Sequence, residues 1–510
     1  MPKFFAPTCP VRSWLLWPGL PLALILAFRL WALQAGGALS FPDEERHLKS
    51  IEAVRALLAG NPEQASLHLA NTQGRPADAL LRLPVAAAQV ALERTGQLPV
   101  TSPDSLLLPQ LMNWLVLLLN MVLLWRLARR WLPTSGAATV LLVYSALGST
   151  NLYVRHLLPY DTALGVTLLA LVLLSGPGAL QRGPGHNGLW AGALGLLAFG
   201  IYPGYYMAPL LPATLLALTT SRGQWRNAAV GLGAGAVGVI LPLELLTRYG
   251  HISYLRTLQH LSATVTQGEF AESFSFVPRY LWEVEGASGI LLLLGLLPGV
   301  VALLTRHAAP VARVVALIPV AAWLLHASLG YFAHHLVFYG RLVHFFLPFL
   351  ALYTGTALHL LRPRWLYLTA TAVVGSVALI GLLRFAPAYL ALAYPRDVLA
   401  AHPATSTAPL RYLNEGGLNA TLNYRVPPRQ PATSTTAPSD ALVLLNCTFL
   451  YPLLRAGCHP ISPPAGYRLT FDGPHFLTLP AYGFEGFTPP MRTRLRQCRF
   501  RCRVYEKGIQ

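Results

Sequence analysis

Long apolar runs dominate this sequence and limit what the chain can fold into. About eleven of them approach the roughly 20 residues that carry a helix across a bilayer. Their approximate limits are 14–34, 105–125, 134–150, 161–178, 188–201, 204–220, 227–247, 288–304, 311–330, 341–361 and 366–384. Charged residues make up only 11% of the 510 residues, less than half of the roughly 25% usual in soluble domains. An ordinary cytosolic enzyme is therefore excluded, and so is a disordered chain, because disorder requires low hydrophobicity.

The basic residues orient the predicted spans. The runs 188–201 and 204–220 are separated only by Tyr202 and Pro203, so they predict either two short helices or one kinked helix. With two helices here and a cytoplasmic N-terminus, every short inside loop carries at least one Arg, as cytoplasmic loops usually do. The cations of these inside segments are Lys3, Arg12, Arg126, Arg129, Arg130, Arg182, Arg222, Arg226, Arg306, Arg313, Arg362 and Arg364. We therefore predict the two-helix topology, with the N-terminus in the cytoplasm and the C-terminus outside.

This topology divides the chain into two predicted domains. A transmembrane domain over 1–385 is all-α and polytopic, with outer loops of roughly 35–104 and 248–287. A small soluble domain of α/β or mixed type follows over 386–510, since this region is polar and contains short β-like runs. It is rich in Pro, Thr and Ser near 403–439, which is typical of a linker. The charged residues of the second outer loop are expected to be solvated.

The cysteines support this sidedness. Cys9 precedes the first span, and the others lie in the region predicted to be outside, at Cys447, Cys458, Cys498 and Cys502. Disulfides persist outside the cytoplasm. If the last two cysteines lie on one strand, they are about 13 Å apart and cannot be bridged. We therefore expect Cys447 and Cys458 to pair with them; a helix would instead permit their own pairing, and four free thiols are the remaining alternative.

Ionisable groups are scarce inside the predicted spans. Arg29 and Glu244 lie toward the outer ends, and the main others are His326, His344 and His359. Because intramembrane charge marks ion and proton pathways, this scarcity argues against a proton-coupled transporter. Polar chemistry is therefore expected at the outer face. The net charge of +18 is divided between inside loops and the C-terminal tail, which argues against a nucleic-acid partner.

The most distinctive polar segment follows the first span. Residues 40–48 are Ser-Phe-Pro-Asp-Glu-Glu-Arg-His-Leu, and apolar residues recur at helical spacing over 43–59. This pattern predicts an amphipathic helix along the outer membrane surface. A capping box from Ser40 to Asp43 would explain the acids without any catalysis. Asp43 and His47 also share a helix face, so they could ligate a metal, although two residues do not make a site.

Two further outer edges carry charge. Residues 158–162 are Leu-Pro-Tyr-Asp-Thr, with Asp161 at the start of the fourth span, where it could simply cap the helix. Residues 334–341 are His-His-Leu-Val-Phe-Tyr-Gly-Arg, with Arg341 at the start of the tenth span. A guanidinium there suits a pair of phosphate oxygens, and the alternative is snorkelling to lipid headgroups.

The order and topology of these segments resemble the GT-C glycosyltransferase superfamily. The nearest resemblance is to protein O-mannosyltransferase-like and aminoarabinose-transferase-like enzymes of the glycosyltransferase family 39 type. It covers roughly 14–361 and is carried by Pro42-Asp43-Glu44, Tyr160-Asp161 and the run from Gly340-Arg341 through Pro348. The resemblance implies a polyprenyl-phosphate-linked sugar donor and an active site that faces outward.

The resemblance also implies roles for individual residues. The catalytic residues would be Asp43, Glu44 and Asp161. The ligands of the donor phosphate would be Arg341, Arg155 and Tyr339. Candidate substrate contacts are His47, His335 and Tyr202.

Two features depart from the family's pattern. Relatives often carry a Lys at the outer turn after the fifth span, where this sequence has Tyr202 and Pro203. Some relatives place a further functional acid later in the first outer loop, for which this sequence offers Glu63, Asp78 and Glu93. Both departures leave open which residues would bind the donor phosphate and which subfamily the sequence resembles.

The expected activity follows from this chemistry. One base must take a proton from the acceptor, and a cation must stabilise the leaving phosphate, which is already a stable anion. We therefore expect an inverting hexosyl or pentosyl transferase of the bacterial inner membrane, with a lipid, glycan or protein acceptor on the periplasmic face. Its partners are membrane lipids and the lipid-linked donor; no tightly bound cofactor is expected, and metal dependence is open. A lipid-linked sugar flippase or transporter and a non-catalytic membrane scaffold are the alternatives.

Overall fold

The structure is a computed structural model that describes most of the predicted transmembrane domain and parts of the C-terminal region. The described residues are 12–35, 44, 46–97, 107–264, 271–306, 309–361, 363–390, 410–412, 443–448, 465–472, 476–477, 481, 484, 489–490, 492–493 and 499–507. Asp43, Cys458 and Cys498 lie outside these residues.

Helices make up nearly all of the described chain before residue 391. Their bounds are α1 Arg12–Ala35, α2 Arg46–Leu58, α3 Pro62–Ala70, α4 Pro76–Arg94, α5 Leu107–Ala128, α6 Thr134–Ala146, α7 Gly148–Arg155, α8 Tyr160–Ser175, α9 Pro177–Gln181, α10 Pro184–Ile201, α11 Leu210–Thr219, α12 Trp225–Tyr249, α13 Tyr254–Thr264, α14 Ser273–Tyr280, α15 Ala287–Arg306, α16 Pro310–Ala333, α17 Gly340–His359 and α18 Arg364–Leu390.

A helix occupies every run that was predicted to be a span. These helices are α1, α5, α6, α8, α10, α11, α12, α15, α16, α17 and α18. Within the described ranges, 6 of them are long and apolar enough to cross a membrane, namely α5, α12, α15, α16, α17 and α18. A 3-10 turn at Pro203–Tyr205 separates α10 from α11, so this region forms two helices rather than one kinked helix. The predicted all-α polytopic membrane architecture is confirmed.

Helix α17 forms the centre of the bundle. Its most apolar window is 83% buried, whereas the other long apolar helices reach at most 44%. The rings of Phe345, Phe349 and Tyr353 are buried along it. Because α17 begins at Gly340, its N-terminal end carries Arg341 to the same end of the bundle at which α8 begins with Asp161.

Glycines allow α10 and α12 to approach each other closely. A Cβ at Gly192 would lie 2.1 Å from the carbonyl oxygen of Leu232, and one at Gly231 would lie 2.0 Å from the carbonyl oxygen of Gly185. Lipid gives little hydrophobic drive to helix association, so membrane helices pack through small residues that bring their backbones together.

Gly231→Ala is expected to destabilise the protein, because the added methyl group would overlap the backbone of α10. Overpacking of this kind costs about 1–3 kcal/mol. Gly233→Ala is the matched control on α12, since a Cβ at Gly233 meets nothing within 4 Å. Thermal unfolding in detergent should give a lower Tm for the Gly231 variant alone. Equal Tm values for both variants would contradict this packing.

The first outer loop is mostly helical. The helix predicted over 43–59 is present as α2, and Asn61 caps the following helix by accepting a hydrogen bond from the Gln64 backbone N–H at 3.0 Å. A small apolar cluster joins this loop to the bundle; its buried members are Ile51, Val54, Ala86, Val90 and Leu157. Since Leu157 lies between α7 and α8, this cluster brings the first loop against the turn that joins these two helices.

The C-terminal region forms a small mixed sheet, as predicted. Its strands are β1 Leu410–Tyr412, β2 Val443–Thr448, β3 Tyr467–Asp472, β4 Phe476–Leu477 and β5 Arg499–Lys507. The strand order is β1-β2-β5-β3, and β4 also pairs with β5. The β1–β2 pair is parallel and the other pairs are antiparallel.

Residues of the C-terminal region are anchored on the second outer loop. The ring of Phe484 contacts Phe276 of α14 with centroids 5.4 Å apart. The guanidinium of Arg492, which is 3% exposed, forms an ion pair with Glu272. Glu272 is buried, so the expectation that the charges of this loop are solvated is wrong at this position. Its burial is stabilised by the guanidinium that the C-terminal region supplies.

The strand register narrows the predicted disulfide pairing. Cys447 on β2 lies directly opposite Cys502 on β5. Cα atoms of opposite residues in antiparallel strands are about 4.5–5.5 Å apart, which is within the range that a disulfide spans.

We therefore predict a Cys447–Cys502 disulfide. Peptide mapping by mass spectrometry under non-reducing conditions should find these two cysteines in one cross-linked peptide pair. After reduction and alkylation, the two peptides should separate. Recovery of Cys447 linked to Cys498, or alkylated without prior reduction, would contradict the prediction.

Candidate functional site

Glu44 is buried where the first outer loop meets the turn between α7 and α8. Its Oε1 accepts a hydrogen bond from the Leu157 backbone N–H at 2.7 Å and lies 3.2 Å from His156 Nδ1. Glu44 is only 1% exposed. Its carboxylate is therefore engaged with the protein backbone, and it positions the turn that leads into α8.

Two further buried side chains hold the same turn. Asn113 of α5 donates from Nδ2 to the carbonyl oxygen of His156 at 2.6 Å, and Arg82 of α4 donates from Nη2 to that of Leu158 at 2.9 Å. Arg82 Nε also donates to both carboxylate oxygens of Asp78, at 3.1 and 3.0 Å. This buried ion pair orients the guanidinium, so the position of the turn depends on Asp78 as well.

The three acids considered for a further role in the first loop all have ionic partners. Asp78 pairs with Arg82 as described, Glu93 pairs with Arg55 at 2.6 Å, and Glu63 pairs with His251 at 2.7 Å. The last pair is exposed, whereas Asp78 is 2% exposed. Each acid therefore has a basic side chain as its partner.

Asp161 joins three helices at the start of α8. Its Oδ1 lies 2.9 Å from Nε2 of His344 on α17. Its backbone carbonyl accepts a hydrogen bond from Asn120 Nδ2 of α5 at 2.8 Å. Asp161 is 4% exposed, and its Oδ2 has no hydrogen-bond partner among the residues that the structure describes. His344 thus orients Oδ1 of Asp161, while Oδ2 can still accept a hydrogen bond.

Aromatic rings connect this carboxylate to Arg341. The Tyr160 ring, next to Asp161 in sequence, packs edge to face on Tyr202 with centroids 4.8 Å apart. Tyr202 packs in the same way on Tyr205 at 4.9 Å. The Tyr205 hydroxyl then donates to the backbone carbonyl of Arg341 at 3.2 Å. The turn after α10 therefore holds the N-terminal ends of α8 and α17 together.

Guanidinium groups border the aromatic rings. Arg75, which precedes α4, lies with its Cζ 5.1 Å from the centre of the Tyr202 ring, in the geometry of a cation–π contact. Arg341 Cζ lies 5.4 Å from the centre of the Tyr339 ring. Arg46 of α2 donates to Gln73 on the loop that carries Arg75, at 2.8 Å. The turn at Tyr202, which lacks the Lys of relatives, thus has a cation supplied by another segment.

Sequence reasoning did not identify Arg46, Arg75 and His344 as site residues. Arg46 belongs to the Pro-Asp-Glu-Glu-Arg segment, so its position close to the candidate acids could have indicated a role at the site. His344 was visible as a rare ionisable residue of a span, without a partner to give it a role. Arg75 belongs to no motif, and only tertiary structure brings it to Tyr202.

The other residues that the sequence predicted for the site lie in several different parts of the structure. Tyr202 lies among the site residues, as described. Arg155 ends α7, and its side chain is not described. His335 is exposed in the turn that follows α16. His47 is fully buried, with Nε2 3.4 Å from Gln89 Oε1. Its surroundings are those of a core residue rather than of a substrate contact.

The N-terminus of α7 is held by the second outer loop. The Glu285 carboxylate accepts hydrogen bonds from the backbone N–H groups of Gly148 at 2.5 Å and Ser149 at 2.9 Å, and from the Ser149 hydroxyl. Burial raises the pKa of Glu285, while these hydrogen bonds act in the opposite direction. Glu285 is therefore a second acid of this loop that is buried rather than solvated, contrary to expectation.

Metal-ligating side chains are dispersed in the described part of the chain. No three or more His, Cys, Asp or Glu side chains converge there. Asp43, the proposed partner of His47 in a metal site, is outside that part. His47 itself faces Gln89, so its Nε2 is directed toward a protein amide.

Comparison with known proteins gives a fold but no sequence relative. The structure is similar to two crystal structures of ArnT from Cupriavidus metallidurans, at 16% sequence identity. The one bound to undecaprenyl phosphate gives a TM-score of 0.56 and covers 82% of this chain and 87% of ArnT. The apo state gives 0.54 and covers 85% and 87%. No family model and no curated protein matches the sequence.

The fold is therefore similar to that of the ArnT structures. ArnT is a GT-C aminoarabinose transferase. The likeness extends over most of both chains.

His47 provides a test of the buried outer network. Burial, together with the neighbouring Arg82, lowers the pKa of His47 to about 3. The unfolded chain, with a His pKa of about 6.5, therefore binds an extra proton between these values, and stability rises with pH across this window. Between pH 7 and pH 5, His47 should remove about 2 kcal/mol of stability.

The His47→Gln variant should lose part of this pH dependence. Its Tm in detergent should fall less between pH 7 and pH 5 than that of the wild type. His260→Gln is the control, because His260 is exposed on α13. If both variants keep the wild-type slope, His47 does not contribute to the acid sensitivity.

Proposed function

We propose that this protein is a membrane glycosyltransferase that moves a sugar from a polyprenyl-phosphate-linked donor to a lipid, glycan or protein acceptor. The reaction takes place on the periplasmic face of the bacterial inner membrane. The observation that carries the proposal is the connected set of Asp161, Tyr160, Tyr202, Tyr205 and Arg341 at one end of a GT-C fold. A carboxylate that acts as base and a cation that stabilises the leaving phosphate are the minimal groups that the transfer requires.

The likeness to ArnT supports the class of donor. ArnT has been crystallised with undecaprenyl phosphate, which is a polyprenyl phosphate. A donor of this kind needs a site at which an anionic phosphate meets cations beside apolar helices. In this chain, the guanidiniums of Arg75 and Arg341 border the rings of Tyr202 and Tyr339, and both segments adjoin the ends of apolar helices.

Asp43 is proposed as the general base. It would take the proton from the acceptor while the acceptor's nucleophilic atom bonds to the anomeric carbon. The bond from that carbon to the phosphate oxygen breaks at the same time, which inverts the configuration. Glu44, the next residue in the sequence, is anchored to the backbone of Leu157, four residues before Asp161.

Asp161 is proposed to act electrostatically. Positive charge develops on the sugar ring when the bond to phosphate breaks, and a nearby carboxylate stabilises it. His344 orients Oδ1 of Asp161, so Oδ2 is the oxygen available for this role. Asn120 fixes the backbone of the same residue. This arrangement is preorganised, because the groups need no rearrangement at the moment of reaction.

The arginines are proposed to bind the departing phosphate. The leaving group is already a stable anion, so it needs positive charge rather than a proton. Arg75 and Arg341 would contact phosphate oxygens, and Arg46 would support the loop of Arg75 through Gln73. Glu44 is proposed to position the turn before α8 rather than to react.

The proposal predicts that binding and transfer can be separated by mutation. Arg75→Ala should weaken binding of undecaprenyl phosphate about tenfold or more, because a charge-assisted contact with phosphate is lost. Asp43→Asn should keep binding but lower transfer by about 10²–10⁴-fold, since the base is lost. Binding is measured by native mass spectrometry, and transfer is measured as consumption of lipid-linked sugars extracted from the host membrane.

Arg94→Ala is the matched control for Arg75→Ala, because Arg94 is an exposed residue at the other end of α4. It should leave both measurements unchanged. Normal transfer by Asp43→Asn would exclude Asp43 as the base. A wild-type protein that binds the lipid and moves labelled donor across sealed vesicles without transfer would be a flippase.

A further inference from the structure

Two adjoining cavities lie at the end of the bundle opposite the candidate site. Helix α8 carries Asp161 in its first turn and reaches this end at Ser175, about 21 Å from Asp161 along the helix axis. The cavities have volumes of about 660 and 490 Å³, and both are lined by Arg130, Gly176 and Arg182. They therefore form one double cavity at the end that the predicted topology assigns to the cytoplasm.

Positive charge is concentrated around this double cavity. Its lining contains Arg126, Arg129, Arg130 and Arg182, and it contains no Asp or Glu. In the portion of the chain that the structure describes, none of these four arginines forms an ion pair. The lining of the double cavity thus has a net positive charge, which favours binding of an anionic ligand.

The arginines converge from segments that are distant in the sequence. Arg130 follows the end of α5, and one of its terminal nitrogens would lie 3.3 Å from a Cβ at Gly176. Arg182 follows α9 and is held by the carbonyl oxygens of Gly178, at 3.1 Å, and Leu173, at 2.8 Å. Because Arg182 is fixed in this way, its guanidinium is preorganised in the lining that it shares with Arg130.

The walls of the double cavity are mixed in polarity. Neutral polar groups are contributed by Asn187, Thr219 and Gln224, and apolar surface is contributed by Leu174, Leu215 and Val311. The outer surfaces of the flanking helices carry exposed apolar side chains suited to lipid tails, such as Leu119, Val122 and Leu218. A ligand that combines an anionic head with apolar tails fits this arrangement.

We propose that this double cavity binds the phosphate headgroup of an anionic phospholipid. Arg130 and Arg182 contact the phosphate oxygens, for which the guanidinium fork is geometrically matched. Leu174 and Leu215 contact the glycerol and the first carbons of the chains. Scattered cytoplasmic arginines would attract anionic lipid without saturation, whereas this convergent set defines a stoichiometric site.

The test measures binding of dioleoyl phosphatidylglycerol and dioleoyl phosphatidylcholine to the full chain by native mass spectrometry. The wild type should retain phosphatidylglycerol in a saturable manner and in preference to phosphatidylcholine. The double variant Arg130→Gln/Arg182→Gln should weaken this binding by about tenfold or more, the factor expected for lost charge-assisted hydrogen bonds. Both side chains reach the surface, so the double variant is expected to fold, and its elution in size exclusion verifies this.

The matched control is Arg222→Gln/Arg226→Gln, which removes two exposed arginines at the same end of the bundle that do not line the double cavity. It should retain wild-type affinity. Equal weakening in both double variants would mean that general surface charge attracts the lipid, and would overturn the proposal. Equal retention of the two lipids by the wild type would do the same. Displacement of phosphatidylglycerol by excess inorganic phosphate would instead assign the site to free phosphate.

Discussion

The turn between α7 and α8 is the feature on which the candidate site depends. Its three residues before Pro159 are held by Glu44, Asn113 and Arg82, which come from the first outer loop and α5. All three side chains are buried, so each hydrogen bond must be made within the protein. Removing one partner would leave an uncompensated polar group, which costs about 1–3 kcal/mol or more for a charged group. The position of Asp161 at the start of α8 is a consequence of this network.

The architecture of the membrane domain could be predicted because its physical determinants are local. Apolar runs, the Arg content of the loops and the break at Tyr202-Pro203 are all visible in the sequence. They predicted the positions of the helices, and the resulting fold is similar to that of ArnT. The strand content of the C-terminal region was predicted for the same reason, from short β-like runs.

The composition of the site was less predictable, because it depends on tertiary contacts. Asp161 and Arg341 stood out as lone charges at the ends of apolar runs, and Tyr160, Tyr202 and Tyr205 join the helix ends that carry them. Nothing in the sequence links Arg75 to Tyr202, which lies more than a hundred residues away. The burial of His47 could not be predicted either, because its spacing from Asp43 describes only a shared helix face and not the residues that pack against it.

Helix α7 is fixed at both ends by acids from different outer loops. Glu285 of the second loop holds its N-terminal backbone, and Glu44 of the first loop holds the residues that follow its C-terminus. Helix α7 has 8 residues and is therefore only about 12 Å long. The two outer loops are therefore parts of one rigid frame rather than independent lids. The second loop also carries Glu272, which forms an ion pair with Arg492 of the C-terminal region. The C-terminal region is therefore attached to the same loops that determine the position of Asp161.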